Sequence, residues 1–204
     1  MLSAGTPHAT TFGYTITDGH GGSVTRTGVV TVDGRNDQPT ISAAITSSVN
    51  EDAVSYSIDL HENASDPDSG DTLDVDVDSL TLLSGDASGI SFEAGNVLSV
   101  DPNAYSDLAD GESEVVVYSS DVVDGMGGSV AQTATATITG ANDAPTAADD
   151  SATTDEDNPV GIAVLANDSD TDATDDLEVT AASVVSGLGG VVVPADGESI
   201  TYDA

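Results

Sequence analysis

The chain has no cysteine, no tryptophan and no lysine. Without cysteine, neither a disulfide frame nor a thiolate metal site is possible. The three histidines, His8, His20 and His61, are too scattered to suggest a zinc site. What remains is the oxygen chemistry of hard cations. Only two arginines, Arg26 and Arg35, stand against 37 acidic residues, for a formal net charge of −35. Such a surface repels nucleic acid and anionic membranes, so neither is expected as a partner. Like charge at this density also opposes a compact state unless salt screens it or bound cations neutralise it. Both remedies point outside the cell, to an extracellular or cell-surface location. No apolar run approaches the roughly 18 residues that span a bilayer, so a soluble chain without membrane insertion is expected. The N-terminal stretch lacks the basic and apolar regions of a secretory signal, which places any export signal elsewhere.

Acidity with aromatics at 3% is also the composition of disorder. Against that stand 38% hydrophobic residues, set in alternating rows such as "TATATIT" (Thr133 to Thr139) and "VSYSIDL" (Val54 to Leu60). Period-two alternation marks half-buried strands. No helical stripe of comparable length is present, and the sequence predicts an all-β fold.

An internal repeat sets the boundaries. "DGHGGSVTRTGVVTVDGRNDQPT" from Asp18 aligns without gaps to "DGMGGSVAQTATATITGANDAPT" from Asp124, an offset of 106. "NASDPDSGDTLDV" from Asn63 aligns to "NDSDTDATDDLEV" from Asn167, with seven of thirteen positions identical. One unit is therefore about 105 residues. Residues 1–38 read as the C-terminal part of one unit, 39–144 as a whole unit and 145–204 as the N-terminal part of a third. Unit length, short strands and frequent Asp-Gly and Gly-Gly turns fit a Greek-key β-sandwich of about seven strands. "DGxGGS" reads as its closing hairpin, with glycine supplying the positive φ of a tight turn. No helix or lysine follows that loop, which excludes a phosphate cradle.

The whole unit holds 20 acidic residues and no basic one. Calcium takes six to eight oxygen ligands from carboxylates, carbonyls and Asn side chains. Asp-x-Asp supplies two carboxylates to one side of an extended segment. Asp66 with Asp68 and Asp170 with Asp172 are such pairs, each after an Asn-Asp linker (Asn36-Asp37, Asn142-Asp143) and a short acidic group (Glu51-Asp52, Glu156-Asp157). Solvated surface charges need only preserve a total, whereas these positions recur at fixed offsets. Asp71 and Asp175 recur as well; for them ligation and capping of the following strand stand side by side.

The stretch "LSVDPNAYSDLADGESEVVVYSSDVVDGMGGSVAQTATATITGANDAPT" resembles a VCBS repeat, and "ATTDEDNPVGIAVLANDSDTDATDDLEVT" resembles the bacterial cadherin-like domains of the same large proteins. The resemblance implies tandem Ig-like or cadherin-like β-sandwich repeats of RTX-type secreted adhesins, exported by type I secretion and serving cell adhesion and biofilm formation. It implies calcium at each junction between successive repeats. At the first junction the matching positions are Asn36, Asp37, Glu51, Asp66, Asp68 and Asp124. At the second they are Asn142, Asp143, Glu156, Asp170 and Asp172. The cadherin aspartate upstream of Asn-Asp has Asp33 as its match in the first linker and Thr139 in the second. The mid-domain acidic pair has Asp110 and Glu112, against Ala4 and Thr6 one unit earlier. One or two ions per junction are expected.

The functional expectation is a calcium-binding structural spacer, with neighbouring repeats of the same chain as its partners. The alternative is a calcium-dependent module that binds a glycan or protein ligand; lectin-type sites add aromatic platforms beside the metal, and aromatics are sparse here. Enzymatic activity is not expected, since there is no GxSxG elbow and no sign of a cleft holding two carboxylates in unlike environments. The terminal pieces together span nearly one unit, which raises head-to-tail self-association by strand donation as a further expectation.

Overall fold

A computed structural model describes residues 2–204. In chain order the strands are β1 Pro7–Thr17, β2 Ser23–Asp33, β3 Thr40–Ile41, β4 Ile45–Asn50, β5 Tyr56–Asp59, β6 Ala64–Ser65 and β7 Asp74–Ser84. They continue with β8 Ile90–Glu93, β9 Val97–Val100, β10 Ser113–Val123, β11 Ser129–Thr139, β12 Val160–Ile162, β13 Gly190–Val192 and β14 Ile200–Asp203. A single 3-10 turn, Pro102–Tyr105, is the helical element among the described residues, and no helix there is long and apolar enough to cross a membrane. The architecture is the all-β, Ig-like β-sandwich that alternation and turn spacing predict.

The sheets are β1-β2, β4-β11-β10-β7, β5-β9-β8, β3-β6 and β12-β14-β13. The chain divides into two compact units. One comprises Met1–Ser47, Ser55–Asp101 and Val115–Thr137; the other comprises Ser48–Val54, Pro102–Glu114 and Ile138–Ala204.

In the first unit the core is built by alternation. Along β11, Gln132, Ala134 and Ala136 are buried while the residues between them are half exposed. Val116 and Val122 of β10, Val75 of β7 and Ile45 of β4 are buried in the same sheet. Ile58 of β5 and Leu98 and Val100 of β9 are buried in the other. The buried polar group Gln132 is satisfied, its Nε2 donating to the Glu62 carbonyl at 2.8 Å, as a buried amide requires. β10 meets β7 through two register shifts, at Val117/Tyr118 and Ser119/Asp121, bulges that bend the strand.

The two closing hairpins share one turn. Gly19 and Gly21 (φ 75° and 103°) and Gly125 and Gly127 (φ 74° and 106°) take left-handed backbone that glycine adopts without steric cost. Asp18 Oδ1 accepts the N–H groups of His20 and Gly22 at 2.8 and 2.9 Å. Asp124 Oδ1 accepts those of Met126 and Gly128 at 2.7 and 2.9 Å. The hairpins differ in their cover: β1 and β2 pair residue for residue from Pro7↔Asp33 to Thr17↔Ser23, yet every residue of both is exposed except the half-buried Gly28.

In the second unit β12, β14 and β13 form a short antiparallel sheet, and Tyr105, Ala109 and Ile138 are buried. Gly140 passes so close to the chain that a Cβ there would lie 2.2 Å from the Ala109 carbonyl oxygen.

Leu98 is 2% exposed, and Leu98→Ala is expected to cost about 2–5 kcal/mol. Val54 is 85% exposed, and Val54→Ala is expected to move stability by less than about 0.5 kcal/mol. Denaturant unfolding of the two variants checks the contrast.

Candidate metal centres

The first acidic group is placed by a very short sheet. β3 follows the Asn36-Asp37 linker and β6 precedes Asp66, so the pairing Thr40↔Ser65 brings linker and loop side by side. The Asp37 N–H then donates to Asp68 Oδ2 at 2.7 Å. Inside the loop the Asp68 N–H donates to Asp66 Oδ1 at 2.7 Å, and the Asp71 N–H reaches the Asp68 carbonyl at 3.4 Å. From the closing turn comes Asp124, whose Oδ2 accepts the Asn36 side-chain amide at 2.8 Å. Gly128 leaves room for that carboxylate, since a Cβ there would stand 2.2 Å from Asp124 Oδ2.

Among the described residues the group has oxygens to spare and no cationic partner. Asn36 Oδ1, Asp66 Oδ2, Asp68 Oδ1 and Asp71 Oδ2 are buried and accept no hydrogen bond from a protein donor. Asp68 and Asp124 are each 3% exposed. One ligand atom each from Asp66, Asp71 and Asp124 lies within 4.8 Å of the others. Among the described residues the ion-pair contact is His61 Nδ1 to Asp59 Oδ1 at 3.5 Å, outside this group. Burial, followed by the charges of Asp66, Asp68 and Asp124, pushes the Asp71 carboxyl above its ordinary value. The Asn36 amide, followed by the Met126 and Gly128 N–H groups, holds Asp124 below it. Asp124 thus stays ionised beside carboxylates that it repels. Buried anions without a counter-charge are unfavourable, and a cation bound by oxygen alone removes that penalty. Carboxylates mixed with an amide carbonyl, in irregular array, fit calcium better than octahedral magnesium.

The second acidic group repeats the linker and loop backbone contacts of the first. Thr146 bridges Ser169, as Thr40 pairs with Ser65. The Asp143 N–H donates to Asp172 Oδ2 at 2.9 Å, the Asp172 N–H to Asp170 Oδ1 at 3.1 Å, and the Asp175 N–H to the Asp172 carbonyl at 3.2 Å. Asp172 is 2% exposed, and its Oδ1, like that of Asp68, accepts no protein hydrogen bond. Burial, followed by the charges of Asp172, Asp170, Glu112 and Asp176, raises the Asp175 carboxyl. A cavity of about 440 Å³ opens here, with Asn142, Asp143, Asp170 and Asp175 in its wall.

Of the residues expected at the first junction, Asn36, Asp66, Asp68 and Asp124 come together. Asp37 joins through its backbone N–H while its side chain is exposed. Glu51 does not belong there. It lies in the other unit, with its N–H on the Thr139 carbonyl at 3.0 Å and its Oε1 accepting the Ala141 N–H at 2.7 Å. The reason is strand length: β4 carries the chain about 20 Å before Glu51 is reached, so an acidic group after β4 sits at the far end of its own sandwich. Glu51 is 2% exposed and its Oε2 has no protein partner, which makes it a candidate for the linker Asn142-Asp143 that Ala141 leads into. Glu156, expected at the second junction, is exposed and is not among the charges that raise Asp175, whereas Glu112 is. Asn142 turns its amide onto the Asp143 carbonyl at 2.5 Å, where Asn36 instead meets Asp124. Asp71 and Asp175, open between ligand and strand cap in the sequence, fall inside the groups; their recurrence at one offset was the available signal.

Residues 142–204 match the bacterial Ig domain family, which is typically a non-enzymatic structural domain. No curated protein matches the chain at a significant level.

Asp71→Asn removes a repelled charge and a prospective ligand at once. It is expected to raise the melting temperature in chelator and to lower it in millimolar calcium, a reversal of sign that scanning calorimetry reads. The raised carboxyls also set a pH dependence. The folded chain holds protons at Asp71 and Asp175 that the unfolded chain has released, so stability falls as pH rises through that window. Metal-free protein is therefore expected to melt higher near about pH 5 than at neutrality. The lowered Asp124 acts in the opposite sense, only below the ordinary carboxylate range.

Proposed function

We propose that the chain is a calcium-stiffened spacer from a bacterial cell-surface adhesin, comprising the C-terminal part of one Ig-like sandwich at 1–38, a whole one at 39–144 and the N-terminal part of a third at 145–204. The observation that carries this reading is the orphaned inner oxygen of Asp68 and of Asp172, each buried and each held in the same frame of backbone hydrogen bonds. An ion that recurs at every linker is a property of an array. The match of residues 142–204 to a bacterial Ig domain supports the same context.

Without metal, Asp66, Asp68, Asp71 and Asp124 repel one another across the place where the Asn36-Asp37 linker enters. Calcium reverses the sign of that interaction: the carboxylates become ligands, Asn36 supplies a carbonyl oxygen, and the linker is tied to both the Asp66–Asp71 loop and the Asp124 turn. A joint of repelling charges becomes a joint of fixed angle, and a string of such joints is a rod that projects a distal binding module for adhesion and biofilm formation. Binding to the folded form alone adds about 2.7 kcal/mol per site at a hundredfold excess of calcium over Kd. Calcium is scarce in the cytosol and abundant outside, so the chain stays loose for type I secretion and stiffens after export. No cysteine is required for this device, in keeping with its absence.

Isothermal titration calorimetry with small-angle scattering tests the proposal. Calcium is expected to bind, raise the melting temperature and lengthen the mean particle dimension, and chelator to reverse all three. Identical melting and scattering curves with and without calcium would exclude the reading.

A further inference from the structure

Two short patterns lie just ahead of the acidic loops. Asn63-Ala64-Ser65 and Asn167-Asp168-Ser169 both read Asn-x-Ser, with x other than proline, and they recur at the offset that relates the two loops. Asn-x-Ser/Thr is the acceptor pattern for an N-linked sugar, a bulky group that needs a surface position. Three residues match such a pattern often by chance, so the state of the side chains decides.

The chain has eight asparagines, six of them outside the pattern. Each of those six engages its side chain with the protein. Asn36 donates to Asp124, Asn96 to Asp74 and Asn158 to Asp155. Asn103 and Asn142 donate to the carbonyls of Ala53 and Asp143, and Asn50 accepts the Asp52 N–H. The side chains of Asn63 and Asn167 make no hydrogen bond to any described residue. Exposure alone does not explain the difference, because Asn50, Asn103, Asn142 and Asn158 are exposed as well.

The backbone around both free amides is anchored. The Asn63 carbonyl accepts the Ser42 N–H at 3.0 Å and the Ser42 hydroxyl at 3.2 Å, and the Ala64 N–H reaches the His61 carbonyl at 3.0 Å. Ser65 pairs with Thr40. In the second pattern the Asp168 N–H reaches the Leu165 carbonyl at 3.3 Å, Asp168 Oδ1 accepts the Ala148 N–H at 2.9 Å, and Ser169 bridges Thr146. Each turn is thus fixed while its asparagine amide stays in water without a competing bond. Backbone conformation does not account for the recurrence. Asn63 has a φ of 65°, a region that asparagine tolerates, but Asn167 is not among the residues of positive φ. Asn63 also lies within the repeat read as whole, 39–144, so its exposure does not arise from an incomplete sandwich.

We propose that Asn63, with Asn167 as its counterpart, is an acceptor for an N-linked sugar, transferred by a separate enzyme from a donor that carries the sugar on phosphate. The Nδ2–C1 bond forms as the bond from sugar C1 to the phosphate oxygen breaks. The phosphate leaves with the electron pair, and the amide gives one proton to a base of the enzyme. The Ser65 hydroxyl, two residues on, completes the pattern that the enzyme reads; it is exposed and meets the Thr40 hydroxyl at 3.1 Å. The Asn63 side chain lies outside the acidic group, so attachment of sugar and binding of calcium are read separately.

Mass spectrometry of the full chain, produced in the bacterium that carries its gene, tests the proposal. The intact mass is expected to exceed the sequence mass. Peptide mapping is expected to place sugar on the amide nitrogens of Asn63 and Asn167 and to leave Asn50 and Asn103 bare. Ser65→Ala is expected to abolish the modification at Asn63 while Asn167 in the same molecule keeps it, an internal control for export and folding. Ser65→Thr preserves the pattern and is expected to keep both. An unmodified Asn63 in the parent chain, sugar on serine or threonine hydroxyls in its place, equal modification of Asn50 and Asn103, or a modified Asn63 that survives Ser65→Ala would each overturn the proposal.

Discussion

Repulsion among buried carboxylates is the constraint on which the rest of this molecule depends. Asp66, Asp68, Asp71 and Asp124 converge on one small volume with Asn36, and among the described residues no guanidinium or ammonium is paired with them. Backbone N–H groups take up one oxygen of Asp66 and of Asp68 and leave the other oxygen of each buried without a protein donor, while both oxygens of Asp124 are hydrogen-bonded. A chain that needed only solubility would keep such charges in water, where their self-energy is small. Holding them under a linker costs stability unless a cation completes the group.

The device is economical in structure. Two residue pairs, Thr40 with Ser65 and Thr146 with Ser169, are enough to hold each linker against its loop, and one N–H from each linker, that of Asp37 or Asp143, locks onto the innermost aspartate. The linker is thereby bonded directly to a prospective ligand, so occupancy of the centre and orientation of the linker are coupled. The modest apolar core fits the same logic. With few aromatics and alanine at two of the four buried positions of β11, the apolar core is modest, and an ion bound by the folded form alone would add to it.

The closing hairpins show the converse case, structure that forms from local sequence alone. Strand pairing and the Asp18 turn are local, and they form in β1 and β2 much as they do in β10 and β11. Burial of the inward row is not local: in β10 and β11 it occurs in a sheet flanked by β4 and β7.

Much of this was legible in the sequence because it is periodic or local. Alternation in "TATATIT" fixed the strand and its inward face, the glycines of "DGxGG" fixed the turn, and recurrence of Asp66, Asp68 and Asp71 at one offset marked the acidic loop, since these patterns depend on the chain's own geometry over a few residues. Glu51 was misplaced because sequence proximity to the linker says nothing of the strand that intervenes; β4 carries it to the other end of the sandwich, beside Ala141. That Asp71 faces the acidic group, that Asp37 contributes an N–H rather than a carboxylate, and that Glu112 rather than Glu156 stands near Asp175 were decided by tertiary structure alone. Residue identity sets which atoms are offered, and only the path of the backbone through space determines which of them meet.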